Sequence, residues 1–188
     1  FTNIDKNTFT AYSQPEGKVY CGIDLGKQED YTVATFIDSK GKIVDIYRAN
    51  GQEWTTMTNE ILKRVKQWNA TVMVEVNSIG DVIYEQIKKQ WQDTHPFITS
   101  SKSKNEIIEG LILDFNEDTI RMPSKELFQA LYSELSTFTY EYNPKTRNIR
   151  YGHPAGMHDD TVMSLAISNY NRKINKQLGS YSYIKPRR

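Results

Sequence analysis

The chain has a single cysteine, Cys21, in 188 residues, so no internal disulfide can form, which suits a reducing compartment. Cys21 sits inside an apolar strand pattern and is expected to be a small core residue. Long apolar runs are also missing. The stretch from Val72 to Val76 is broken far short of the roughly 20 residues that a bilayer span needs, and no charged-then-apolar signal pattern opens the sequence. A soluble protein with no membrane association is expected. Excess charge is missing too: net charge is +1, so any contact with nucleic acid must come from local basic patches. There is no Gly-x-x-x-x-Gly-Lys-Ser/Thr loop, because Gly22 to Lys27 fails the spacing and the residue after the lysine, and no ATP site is expected. The three histidines lack paired metal-ligand spacing, which leaves His158 a minor ligand candidate and His153 a loop residue. Repeats and low-complexity linkers are absent, and with 38% hydrophobic and 25% charged residues the chain fits one globular domain.

What is present is an ordered alternation of strand and helix patterns. Val19, Cys21, Ile23 and Leu25 alternate with Tyr20, Gly22 and Asp24, the period of a strand, so Asp24 faces away from Ile23 and Leu25. Tyr31 to Asp38 and Lys42 to Arg48 form a hairpin through Ser39, Lys40 and Gly41. Met57, Ile61, Val65 and Trp68 mark a helix, and Thr71 to Val76 is a strand whose valines share one face while Glu75 takes the other. Ile83, Ile87 and Trp91 give a second helix before a short strand at Pro96 to Thr99, which makes a β-α-β crossover. Ser103 and Glu106 read as the capping box of a third helix carrying Ile107, Ile108, Leu111 and Ile112. A short strand at Thr119 to Met122, a helix with Leu127, Phe128, Leu131 and Leu135, and a second hairpin from Phe138 to Gly152 follow. The last helix begins near Asp159 and runs to about Lys173. The expected fold is α/β: a mixed sheet of five or more strands, three antiparallel and then parallel, flanked by helices and carrying an extra β-hairpin. Residues 1–17 are expected to be an irregular lead-in from something upstream, 18–174 the domain, and 175–188 a basic, flexible tail that includes Lys185, Arg187 and Arg188.

Four acids fall where strands or helices end: Asp24, Glu75, Asp159 and Asp160. If the first and fourth strands are parallel neighbours, Asp24 and Glu75 project from one face at one end, where α/β sheets place their ligands. Such a cluster is costly without a cation, and hard divalent ions such as Mg²⁺ or Mn²⁺ favour carboxylate oxygens. Two metals about 3.5 to 4 Å apart can activate water and stabilise a leaving oxygen in phosphodiester hydrolysis. In that chemistry Asp24 bridges, Glu75 binds one metal, and Asp159 or Asp160 binds the other. Each acid alone has a plainer account. Asp24 can open a turn, and Asp159 and Asp160 suit a helix N-cap and the positive end of its dipole. Glu75, between Val74 and Val76, fits a solvent-facing role least.

Lys102 and Lys104 at a helix start, and Lys145, Arg147 and Arg150 on the second hairpin, are candidates to neutralise DNA phosphates, set against ordinary solvated surface. Tyr140, Tyr142 and Tyr151 lie among these cations, and cross-strand packing is the plainer role for them than stacking on bases.

Four stretches together resemble the nuclease domain of the terminase large subunit, the DNA-packaging motor of tailed bacteriophages: Tyr20 to Gly26 with Asp30 and Tyr31, Val74 to Gly80, Thr99 to Ile108, and Gly156 to Asp160 leading into Val162, Leu165 and Ala166. The likeness runs from Val19 to about Lys173. It implies an RNase H-like fold related to RuvC-type resolvases, and a Mg²⁺- or Mn²⁺-dependent endonuclease that cuts concatemeric DNA with little sequence preference. It assigns the metal and catalytic roles to Asp24, Glu75 and Asp160, with Asp159 an additional ligand. Many of the resembling proteins carry a further acid where Met163 stands here. The implied partners are double-stranded DNA, an upstream ATPase domain of the same protein, the portal and the small terminase subunit. The implied location is the cytoplasm of an infected or prophage-carrying bacterium, with transient docking on the procapsid. The alternatives are a RuvC-like resolvase or transposase nuclease, a non-catalytic DNA-docking module, and an actin-type ATPase lobe suggested by Gly22 to Gly26. The last would need a second phosphate loop that the chain lacks.

Overall fold

The computed structural model describes residues 1–26, 30–77, 80–145 and 147–181; Lys27, Ser78, Ile79 and the tail cations Lys185, Arg187 and Arg188 lie outside the described residues. A central sheet is built from β2 (Val19–Asp24), β3 (Thr32–Asp38), β4 (Ile43–Ala49), β5 (Thr71–Glu75) and β6 (Thr94–Phe97). β1 (Thr8–Phe9) lies outside it. The order is β4-β3-β2-β5-β6, with β2, β3 and β4 antiparallel and β5 and β6 parallel to β2. This is the RNase H-like mixed sheet that the sequence implied. Gly41 makes the β3–β4 turn at φ +86°, a conformation that side-chain-bearing residues avoid.

Strand alternation separates two cores. Val19, Cys21, Ile23, Val72 and Val74 pack against α1 (Trp54–Trp68) and α2 (Gly80–Gln90) through Met57, Ile61, Val65, Ile83 and Ile87. Tyr20 and Met73 face the opposite layer, formed by α3 (Ser101–Asn116), α4 (Gln129–Thr137) and α5 (Asp160–Tyr181). Asp24 and Glu75 continue the Tyr20 and Met73 sides of their strands, which puts both on the α5 face.

β6 begins and ends two residues earlier than expected, β7 is Met122–Pro123 rather than Thr119 to Met122, and α4 starts at Gln129, leaving Leu127 and Phe128 before it. Three further differences are larger. The capping box of α3 joins Ser100 and Ser103, not Ser103 and Glu106: Ser103 N–H donates to Ser100 Oγ at 3.1 Å and Ser100 N–H to Ser103 Oγ at 2.8 Å. α5 continues past Lys173 to Tyr181, so its last turns occupy part of the expected tail. Residues 1–17 dock on the body. β1 pairs in parallel with β7 (Met122–Pro123), Asn7 donates to the Phe115 carbonyl at 3.0 Å, and the Phe1 ring packs on Phe115 and Phe138. These contacts are tertiary and leave no local periodicity to read. The second hairpin forms as expected from β8 (Thr139–Asn143) and β9 (Asn148–Gly152).

α5 lies unusually near the sheet because Gly22 has no side chain. A Cβ at that position would stand 2.2 Å from the Ser168 backbone nitrogen and 2.5 Å from the Ser164 carbonyl oxygen. Ser164 Oγ donates to the Gly22 carbonyl at 2.9 Å, Ser168 Oγ to the Tyr20 carbonyl at 3.0 Å, and Asn171 to the Cys21 carbonyl at 3.1 Å. Small and polar residues thus replace the usual apolar spacer between helix and sheet. Gly22→Ala is expected to lower stability by about 3 kcal/mol, read as a lower urea midpoint. An unchanged midpoint would show that the helix does not rest on the strand.

Candidate metal centre

Ile23 pairs with Val74 in the parallel β2–β5 ladder, so Asp24 and Glu75 finish adjacent strands side by side. The two carboxyls interact closely enough that Glu75 helps raise the Asp24 pKa. Asn77 donates its side-chain amide to Glu75 Oε1 at 2.9 Å and orients it. The start of α5 then brings in Asp159 and Asp160. Asp24, Asp30, Glu75, Asp159 and Asp160 line one cleft of about 230 Å³, with Lys104 a cation among the described lining residues.

Asp159 and Asp160 do not cap their own helix in the expected way. The N–H of Thr161 is taken by Glu134 Oε2 of α4 at 2.8 Å, and the Thr161 hydroxyl donates to the same oxygen at 2.5 Å. The Asp159 carboxylate instead accepts from Lys104 Nζ at 3.0 Å and lies 3.7 Å from His153 Nε2. Asp160 Oδ2 accepts the Tyr31 backbone N–H at 3.2 Å and lies 3.5 Å from His158 Nδ1. A cap supplied by α4 leaves both acids turned to the cleft.

Asp30 and His158 complete a further grouping. One ligand atom from each of Asp30, His158 and Asp160 falls within 4.8 Å of the others. Sequence reasoning did not single out Asp30 as a ligand. Its signal was present, an acid in the loop just after the strand that ends in Asp24. Met163, where many resembling proteins carry another acid, lines the same cleft. Asp30, from the loop after β2, is a further carboxylate lining this cleft.

The electrostatics show what this donor set fits. Burial, then the Glu75 hydrogen bond and the charges of Glu75, Asp160 and Asp159, hold the Asp24 carboxyl well above its ordinary range. Burial pushes Asp160 up to about 6, against the Tyr31 N–H, which favours its ionised form; Glu134 and Asp30 add to the rise and His158 opposes it. The cluster resists full ionisation without a cation. Hard oxygen donors crowded in this way suit a divalent ion, whose charge reverses the penalty.

The candidate DNA contacts divide. Lys104 reaches the carboxylate cleft, and Arg150 lines an adjoining groove of about 660 Å³ between the start of α3 and the β8–β9 hairpin. The two hollows share Thr99, Lys104 and Asp159. Lys102 faces another side of α3, beside Glu106 and Leu113, while Lys145 and Arg147 are exposed at the hairpin turn. Tyr140 and Tyr142 are 64% and 56% exposed, and Tyr140 packs across the hairpin on Tyr151 with ring centres 6.3 Å apart.

No family model and no curated protein matches the sequence. Solved structures do match. The large terminase nuclease from thermophilic phage G20c with bound magnesium superposes with a TM-score of 0.79 at 25% identity, covering 90% of this chain and 95% of that one. The nuclease domain of the large terminase g2p from bacteriophage SPP1, with bound Mn, gives 0.59 at 11% identity over 87% and 95%. The HK97 bacteriophage large terminase gives 0.66 at 10% identity, over 85% of this chain and 40% of the longer one. Nearly the whole chain therefore shares the architecture of large terminase nuclease domains.

The shifted Asp160 carboxyl predicts a pH dependence. Its pKa of about 6 in the fold lies above the ordinary 3.8, so between these values the folded chain holds more protons than the unfolded one. Metal-free stability should fall by a few kcal/mol as pH rises from about 4 to about 6, and Asp160→Asn should flatten that part of the profile. Urea unfolding in chelator across this range reads it; a stability that rises through the window for both proteins contradicts it.

Proposed function

We propose that this chain is the nuclease domain of a phage terminase large subunit, a Mg²⁺- or Mn²⁺-dependent endonuclease that cuts concatemeric viral DNA with little sequence preference. The observation that carries the proposal is the convergence of Asp24 and Glu75 from neighbouring strands with Asp159 and Asp160 from a helix start in one cleft. The bound magnesium in the G20c terminase nuclease supports a divalent ion at such a centre.

In this mechanism Asp24 would bridge two ions, Glu75 would hold one, and Asp160, with Asp159 beside it, the other. When bound, divalent ions supply activation of a water and stabilisation of the leaving oxygen. Asn77 keeps Glu75 oriented, and the Tyr31 N–H keeps Asp160 ionisable and fixed. Lys104, held on Asp159, is placed to meet the non-bridging oxygens of the scissile phosphate. The DNA backbone lies along the groove between α3 and the hairpin, against Arg150 and the positive end of the α3 dipole. Contacts of that kind set position without reading sequence. Lys102, Lys145 and Arg147 stand outside the groove and contribute longer-range attraction. The protein works with an upstream ATPase domain, the portal and the small terminase subunit, on the procapsid in the bacterial cytoplasm.

Supercoiled plasmid incubated with Mn²⁺ or Mg²⁺ tests the proposal. Asp24→Ala, Glu75→Ala and Asp160→Ala should each lower nicking by about 100-fold or more, and unchanged nicking in all three rejects the mechanism. Preferential cutting of branched over linear duplex would favour a resolvase, and absence of metal binding a docking module. Lys104→Ala and Arg150→Ala should each lower the slope of log affinity against log salt by about 1. A slope unaffected by either would move the DNA off this groove.

A further inference from the structure

A half-buried arginine and a buried glutamate that do not line the carboxylate cleft are left unexplained by the chemistry above. Arg48 and Glu134 face each other with Arg48 Nη2 3.5 Å from Glu134 Oε1, and both side chains are largely removed from solvent. Arg48 Nε and Glu134 Oε1 are buried without a hydrogen-bond partner. An arrangement this costly needs something beyond fold stability to account for it.

The pair is linked to Asp160 from two sides, through Tyr31 and through Thr161. Val33 pairs with Asp24 on one edge and with Arg48 on the other, so Arg48 stands in the same cross-sheet row as Asp24. From there its guanidinium covers the Tyr31 ring at 3.2 Å from the centroid. Tyr31 gives its backbone N–H to Asp160 and its ring packs at right angles to His158, with centroids 5.4 Å apart. Glu134 acts on the other side, binding the Thr161 N–H and hydroxyl in the residue that follows Asp160. Both the donor to the Asp160 carboxylate and the helix turn that carries it are therefore anchored to one Arg–Glu pair.

Resting on the metal-centre reading, we infer that Arg48 and Glu134 are positioning residues that fix Asp160 and thereby set the affinity of the centre for divalent metal. The planar guanidinium can stack on Tyr31 and face Glu134 at once, which a lysine ammonium cannot do. Groups that orient ligands in this way change metal affinity about 10- to 100-fold when removed.

The test is Mn²⁺ binding to the full chain, followed by the loss of the free-ion electron paramagnetic resonance signal. It uses wild type, Arg48→Lys, Arg48→Met, Glu134→Gln and the double variant Arg48→Met with Glu134→Gln. Melting curves identify the folded variants, and Arg64→Ala, which removes a surface cation paired with Glu60 on α1, serves as a control for generic destabilisation. Affinity should fall about tenfold or more in Arg48→Met and Arg48→Lys, and by a comparable factor in Glu134→Gln. The double variant should be no weaker than the poorer single, since both act through one carboxylate. Arg48→Lys keeps the charge beside Glu134 and remains informative if Arg48→Met does not fold. Lowered melting temperatures with Mn²⁺ affinity within twofold of wild type would show a merely structural pair and overturn the inference. A wild-type chain that binds no Mn²⁺ would overturn the metal-centre reading, and this inference with it, whereas wild-type binding with unaffected variants overturns this inference alone.

Discussion

The structure depends on how closely α5 can lie on β2. Gly22 supplies no side chain, Ser164 and Ser168 supply small ones, and their hydroxyls bond to strand carbonyls. A larger side chain at any of the three would push the helix outward, as packed interiors have no slack to absorb added atoms. The distance from the helix start to the ends of β2 and β5 would grow with it. Carboxylates from a helix and from two strands share one cleft because this contact is made by backbone and small polar groups.

That proximity creates the second constraint, an excess of negative charge in a confined place. The chain balances it unevenly. Lys104 stands in the cleft and bonds Asp159, while Arg48 sits behind and faces Glu134. Asp24 and Glu75 stand beside each other, and the charge of Glu75 adds to burial in raising the Asp24 pKa.

Much of this was legible in the sequence because strands have a period of two and parallel neighbours end together. Alternation put Asp24 opposite Ile23 and Glu75 opposite Val74, and the order of elements made their strands neighbours. The sheet, the five main helices and both hairpins follow from the same rule and from the helical spacing of residues such as Ile61, Val65, Ile83 and Ile87. What stayed hidden depended on contacts between distant elements. Glu134 reads as an ordinary helix surface residue next to the core Leu135, and nothing local says that it caps α5. Asp30 occupies a loop, where no periodicity assigns a face. The capping box was expected between Ser103 and Glu106 and forms instead between Ser100 and Ser103, whose hydroxyls satisfy each other's backbone donors. Of the five basic candidates, only the docking of the hairpin on α3 separates Arg150 and Lys104 from the others, through Asn105 bonding the Ile149 carbonyl at 2.8 Å.

The length of α5 has a mechanical meaning. Its 22 residues make a rod of about 33 Å, with Asp160 in its first turn and Tyr181 in its last. The serine contacts with β2 fall in the half of the rod nearest Asp160, and Asn171, further along, is tied to β2 and β5 as well. The stretch beyond these contacts toward Tyr181 is longer than the one toward Asp160. Asp24 and Glu75, by contrast, sit at the ends of paired sheet strands. The helix thus presents Asp160 close to the part of it that is bonded to the sheet.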